Sequence, residues 1–246
     1  MKHTALLIAA GTTVTFLLFV AVQVLIVLLN GRPVPVPTIP RDPQIMGHGT
    51  QLTYVVMGDS TTIAQGAAYE DGYTLASARH LAERYKVTFV NVGVSGAVAK
   101  DVAHNQVSQA IGYKPDIVLI AVGANDVTHL TSGSSVKRST QSVIDRLRAA
   151  NPAMRIVVTG APAMDAVPRF PWPVQRVALQ RVRALNSMFK RLSKSDNLIF
   201  APVADQTRAA FRADPTLFAA DKFHPNARGY ALWTPVINHA LDEALN

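Results

Sequence analysis

The residues of this 246-residue chain best suited to chemistry are Ser60, Asp221 and His224. A serine hydroxyl is a weak nucleophile until a base takes its proton, so Ser60 requires a histidine within hydrogen-bond reach. Six of the seven histidines, His3, His48, His80, His104, His129 and His239, have no acidic partner at a telling spacing. His224 stands three residues after Asp221, in Asp221-Lys222-Phe223-His224-Pro225. In a turn leading into a helix, that spacing lets the carboxylate reach one imidazole nitrogen and fix the tautomer that offers the other to serine. Taken alone, the pair also fits a purely local role, with Asp221 capping a turn before a helix over Asn226 to Leu245. The chemistry such a set suits is attack on an acyl carbon.

Acyl transfer also needs donors aimed at the oxyanion that develops on the carbonyl oxygen. Ser60 and Gly96 can offer backbone N–H groups, and Asn125 a side-chain amide. Their segments, Tyr54-Val55-Val56-Met57-Gly58-Asp59-Ser60, Asn91-Val92-Gly93-Val94-Ser95-Gly96 and Gly123-Ala124-Asn125-Asp126, each carry the polar groups at the end of an apolar run. Gly93 and Gly96 are also expected in tight strand-to-helix turns, whatever their chemistry. Asn125 is alternatively a helix cap, a role that suits Asp126 better. Asp59 reads as an anchor for its turn, because adjacent residues on a turn point in different directions.

The four blocks, in this order over residues 51 to 246, resemble the SGNH, or GDSL-type, hydrolases. The resemblance implies a three-layer α/β fold, a serine nucleophile at Ser60, and an Asp-x-x-His pair at Asp221 and His224. It also implies that Gly96 and Asn125 are oxyanion residues. Thr61 follows the serine where the family often has leucine.

The positioning elements follow from hydrophobic periodicity. Strands are expected at Leu52 to Met57, Val87 to Val92, Ile117 to Val122, Arg155 to Thr159 and Leu198 to Val203, each short and rich in Val, Ile or Phe. Between them lie amphipathic stretches such as Thr74 to Tyr85 and Val136 to Ala150. Alternation of this kind predicts a five-stranded parallel sheet with helices on both faces, in the flavodoxin-like strand order 2-1-3-4-5. Chemistry then belongs at the carboxyl ends of the strands. The segment Ala166 to Val174, with Phe170 and Trp172, leaves the fourth strand at that edge and is expected either to line the cleft or to pack on a neighbouring helix.

Three regions are expected: residues 1–30 a membrane anchor, 31–50 a proline-rich linker, 51–246 the hydrolase domain. No charge interrupts residues 4–29, and at ~1.5 Å per residue such a run can cross a hydrocarbon core of ~30 Å. A cleaved signal peptide is the competing reading. Its apolar region should end in small residues, whereas this run ends in Leu25-Ile26-Val27-Leu28-Leu29. Lys2 precedes the run while Arg32 and Arg41 follow it, so charge counting does not decide the topology. The expected location is a single-pass protein of the cell membrane with its domain outside the cytoplasm, or a secreted protein if the segment is cleaved. The linker, with Pro33, Pro35, Pro37, Pro40 and Pro43, is expected to hold the domain off the membrane as an extended spacer.

Composition excludes several alternatives. Without cysteine there are no disulfides, thiolate metal sites or cysteine nucleophile. Metal-ligand spacings and phosphate-binding glycine loops are missing too, so no cofactor is expected. The net charge of +8 gathers between Gln175 and Lys194 and reads as a solvated helix face rather than a nucleic-acid patch. The combined reading is a membrane-anchored serine esterase working through an acyl-enzyme on lipid or O-acyl esters. Its rivals are an O-acetyl esterase or acyltransferase of cell-envelope polysaccharide, and a non-catalytic envelope module that binds glycan or lipid.

Overall fold

A computed structural model describes residues 2–246 apart from Asn197, with side chains described from Gly11 onward. Its centre is a six-stranded sheet of β1 (Gln44–Met46), β2 (Gln51–Gly58), β3 (Lys86–Asn91), β4 (Ile117–Ala121), β5 (Arg155–Val158) and β6 (Ile199–Phe200). The spatial order is β1-β3-β2-β4-β5-β6. Tyr54, Val55, Val56 and Met57 of β2 are wholly buried, as an unbroken apolar strand must be when both faces are covered. Val55 pairs with Val90 on one side and Val118 on the other, so β2 is central. The parallel strands β2 to β6 are the five expected, in the expected order.

The sixth strand was not foreseen. β1 pairs antiparallel with β3, matching Gln44, Ile45 and Met46 to Phe89, Thr88 and Val87. Three residues are too few to show a period, and Ile45 faces solvent.

Six described helices have ten or more residues: α1 (Lys2–Leu29), α2 (Tyr73–Ala82), α3 (Gly133–Ala150), α4 (Trp172–Ser195), α5 (Val203–Ala213) and α6 (Ala227–Leu245). On one side of the sheet α2 and α5 pack with α6; on the other α3 packs with α4. In α3 the buried positions Val136, Thr140, Val143, Ile144 and Leu147 recur every three or four residues and form one stripe, while Ser132 accepts from the Ser135 amide as its cap. The cap of α6 is Asn226, accepting from Gly229 N–H.

Helix α1 differs from all of these. Gly11–Leu29 is long and apolar enough to cross a membrane, and none of it is buried in the protein. Its carboxyl end nevertheless touches the domain through specific bonds. Arg169 Nε donates to Val27 O at 2.7 Å and Asn30 Nδ2 donates to Pro168 O at 3.1 Å. Lys222 Nζ donates to Asn30 Oδ1 at 2.7 Å, and Arg32 N–H donates to Ala220 O at 2.9 Å.

The proline-rich stretch then runs along the domain rather than away from it. Ile39 is buried in the core and Gln44 Nε2 donates to the Tyr69 hydroxyl, so the stretch is a strap leading from the tip of α1 to β1. A spacer needs solvated residues throughout. The apolar side chain of Ile39 and the short strand β1 give this one places to adhere.

Candidate active site

Strand β2 ends at Gly58, where the side chain of Gln106 stands in for a neighbouring strand. Its Oε1 accepts from Gly58 N–H and its Nε2 donates to Gly58 O, both at 2.8 Å. The following turn is fixed from within, since Asp59 Oδ1 accepts from the Thr61 amide at 2.9 Å and from Thr61 Oγ1 at 2.8 Å. Asp59 is therefore the turn's anchor, as expected. Burial pushes its carboxyl up to about 6, against the opposing pull of those two hydrogen bonds.

Ser60, at the head of this turn, is buried, and its Oγ lies 2.9 Å from His224 Nε2. His224 Nδ1 is 2.5 Å from Asp221 Oδ2. The other oxygen, Asp221 Oδ1, accepts from the amides of Phe223 and His224, both at 3.0 Å. The capping and orienting readings of Asp221 thus coexist, one on each oxygen. Burial works to raise the Asp221 pKa, but the His224 ring and the two amides together outweigh it and hold the carboxyl below its ordinary value. The ionised carboxylate favours the Nδ1–H tautomer, leaving Nε2 free to accept the serine proton.

Gly96 and Asn125 lie on the turns after β3 and β4, at the same edge of the sheet as Ser60. Neither the Ser60 nor the Gly96 N–H has an acceptor among the described residues. Asn125 Nδ2 donates one hydrogen to Ala97 O at 3.1 Å, which joins the two turns and leaves its second hydrogen available. Gly93 has a purely steric role: a Cβ there would come within 1.9 Å of Thr62 Oγ1, so only glycine lets the second turn approach the first. Asn91 locks that approach, donating to Thr62 O at 2.7 Å and accepting from Gly93 N–H at 2.9 Å.

Asp126, expected as a helix cap, instead reaches across to accept from the Ala99 amide at 3.0 Å. Burial pushes its carboxyl up, and that bond opposes the rise. Gln65 was missed as well. Its amide N–H bonds Ser60 O, its Oε1 accepts from Ser95 Oγ at 2.7 Å, and its carbonyl accepts from the Tyr230 hydroxyl, so one glutamine ties the first turn to the second and to α6.

Ser60 and His224 open onto a narrow apolar pocket walled by Ala163, Met164, Val167, Phe211, Phe218, Phe223 and Trp233. Phe223 stacks edge-on against the His224 ring at 5.0 Å. Of the segment 166–174, Val167 lines the pocket and Phe170 is buried against Phe223 at 5.9 Å. Trp172 does neither; it is 68% exposed at the start of α4, with the Arg176 guanidinium over its ring.

The sequence profile of the GDSL-like lipase/acylhydrolase family matches residues 56–232, a span that begins in β2 and ends in α6 and so takes in Ser60, Gly96, Asn125, Asp221 and His224. The chain belongs to that family. The chain is 31% identical over 198 residues to a GDSL-like esterase of Mycobacterium tuberculosis, an alignment covering 78% of this chain and 62% of the relative. The chain thus spans under two thirds of that relative's length. The fold recurs among solved structures. TesA superposes with a TM-score of 0.66 at 18% identity, over 78% of this chain and 99% of TesA. A lipase from a goat rumen metagenome superposes at 0.63 and 18% identity, over 77% of this chain and 97% of the lipase.

Proposed function

We propose that this chain is a membrane-anchored carboxylic-ester hydrolase that works through an acyl-enzyme on Ser60. His224 Nε2 takes the hydroxyl proton as Oγ bonds to the ester carbonyl carbon, and Asp221 orients the imidazole and stabilises its charged form. The carbonyl oxygen becomes an oxyanion held by the Ser60 and Gly96 amides and by Asn125 Nδ2. Collapse breaks the ester C–O bond, and the proton on Nε2 passes to the departing alkoxide. Water, deprotonated by His224, then attacks the acyl carbon, releases the acid and returns the proton to Ser60.

The observation that carries this reading is the unbroken line from Ser60 Oγ through His224 to Asp221, at 2.9 and 2.5 Å, beside two backbone donors that have no acceptor among the described residues. Membership of an acylhydrolase family supports the reaction class. Anchoring is supported by the exposed apolar surface of α1 and by the bonds of Val27 and Asn30 to the domain, which cleavage beyond residue 30 would remove. The test is labelling by a fluorophosphonate together with aryl-ester hydrolysis. Both should disappear in Ser60→Ala while the fold remains, and substantial turnover by that variant would sink the assignment.

A further inference from the structure

The carboxyl-terminal half of α1 and the rest of the chain flank an open apolar groove of about 460 Å³. Phe19, Val24 and Leu28 form one bank; Leu130, Val174 and Val177 form the other. The domain's bank is not covered by any other part of the described chain. Leu130 is 64% exposed, Val177 49%, and Trp172, at the head of the same helix, 68%. A clustered apolar face of this size, continuous with a helix of membrane-spanning character, is unlike the scattered exposed apolar residues of an ordinary surface.

Helix length sets the height of that face. At ~1.5 Å per residue the 28 residues of α1 run about 42 Å, roughly 12 Å more than a hydrocarbon core of ~30 Å. With its first residues at one boundary, about eight residues at the other end stand among lipid headgroups. The groove, lined on this helix from Phe19 to Leu28, therefore straddles the boundary between acyl chains and headgroups. Trp172, with Arg176 over its ring, adjoins Pro173 of the groove, and Arg169 and Lys222 are bonded to Val27 and Asn30. Amphipathic rings and long cationic side chains are what the membrane boundary favours.

The groove also adjoins the site. Leu130 lies just beyond the short helix Ala124–Thr128 that carries Asn125. Phe170 lines a hollow shared with Val27 and Leu130, and it packs on Phe223, which packs on His224. Two aromatic rings separate the groove from the proposed general base.

We propose that this face is seated in the membrane beside its own anchor, with acyl chains of the bilayer filling the groove, and that the Ser60 pocket draws its ester substrate from the lipids of that leaflet. The proposal rests on the anchored-esterase reading and gives it a substrate class.

The protein has two tryptophans, one exposed at 172 and one buried at 233, which makes the seating directly readable. Full-length protein is placed in phosphatidylcholine–phosphatidylglycerol vesicles whose acyl chains are brominated near the glycerol. Emission should shift to the blue and be quenched in the wild type, and this quenching should disappear in Trp172→Phe. Trp172 emission that ignores bromolipid yet is quenched by aqueous acrylamide would overturn the seating, as would release of the chain by carbonate.

The second arm is kinetic. Leu130→Glu with Val177→Glu changes only exposed side chains, and should cut hydrolysis of a diacyl lipid in the vesicles by about tenfold or more, leaving soluble aryl acetate hydrolysis unchanged. Equal loss on both substrates, no loss on either, or a wild type that cleaves aryl acetate but no vesicle lipid would overturn the substrate class. A wild type inactive on aryl acetate and on lipid would instead sink the esterase reading, while Trp172 quenching still decides the seating.

Discussion

The two sides of the Ser60 pocket are built on different principles. On the polar rim four side chains are held by directional bonds to backbone: Asp59 to Thr61, Asn91 to Thr62 and Gly93, Asn125 to Ala97, Asp221 to Phe223 and His224. On the apolar wall Met164, Val167, Phe211, Phe218 and Trp233 come from four separate stretches and meet only through packing. The rim tolerates almost no change of residue type, because a donor or acceptor must occupy one place. The wall tolerates any side chain of suitable volume, which makes it the part where substrate preference can drift.

The largest effects should therefore come from the rim. Ser60→Ala or His224→Ala should each lower kcat/KM for aryl esters on the order of 10⁴-fold or more, because members of such a set act as a unit. Asp221→Ala should be milder by about tenfold or more. If His224→Ala retained near wild-type rates, the rim would not be the catalytic side. Next in size, Asn125→Ala should cost about 10²-fold in kcat with little change in KM, as expected for a donor used mainly in the transition state. A change in KM alone would reduce Asn125 to a binding contact.

The wall should answer differently. Met164→Ala enlarges the pocket, so kcat/KM for longer acyl chains should rise relative to acetyl by about 3- to 10-fold, with fluorophosphonate labelling of Ser60 retained. Uniform loss across acyl lengths together with a lower Tm would show that Met164 is core packing. Trp172→Ala should leave the relative rates on soluble esters unchanged, since this ring lines no part of the pocket.

A change in stability rather than in rate is expected at Asp59. Its carboxyl is raised in the folded chain from the ordinary value to about 6, so its contribution to stability is fully present below the unfolded value and is lost as pH rises through 6. Above pH 6 the buried carboxylate costs about 3 kcal/mol by that shift. Asp59→Asn keeps an oxygen for the Thr61 donors and does not titrate, so its stability relative to wild type should grow between pH 4 and pH 7. Denaturant unfolding at several pH values measures this, and a parallel pair of curves would remove Asp59 as the source.

Rim and wall also differ in how far they could be read from sequence. That Ser60, Gly96, Asn125, Asp221 and His224 meet at one edge of the sheet was legible from their places after strands, from the Asp221–His224 spacing and from the resemblance to the SGNH hydrolases. The five parallel strands were legible because burial on both faces demands unbroken runs of Val, Ile and Leu. Gln65 and Gln106 were not, since a glutamine that bonds backbone at a distance leaves no spacing to read. Nor were Met164 and Phe211 as pocket residues, for apolar side chains look the same whether they face a cavity or a core. Strand β1 and the adherence of the proline strap depend on single contacts, such as Ile39, that have no period.

The tie between the tip of α1 and the loop carrying Asp221 has a further consequence, for the order in which the molecule is made. Asn30 bonds Pro168, 138 residues later, and Lys222, 192 residues later. Gly31, at φ +114°, lies so close to the Asp221 carbonyl that a Cβ would approach its oxygen to 2.2 Å. At about 5 to 20 residues per second, roughly 10 to 40 s separate synthesis of the two partners. Helix α1 is thus synthesised well before the loop, and the loop can close onto Gly31 only after residue 222 has emerged. Assembly of the Asp221–His224 turn is then a late event that happens beside α1, so the nascent chain cannot hold a complete site until it has arrived there.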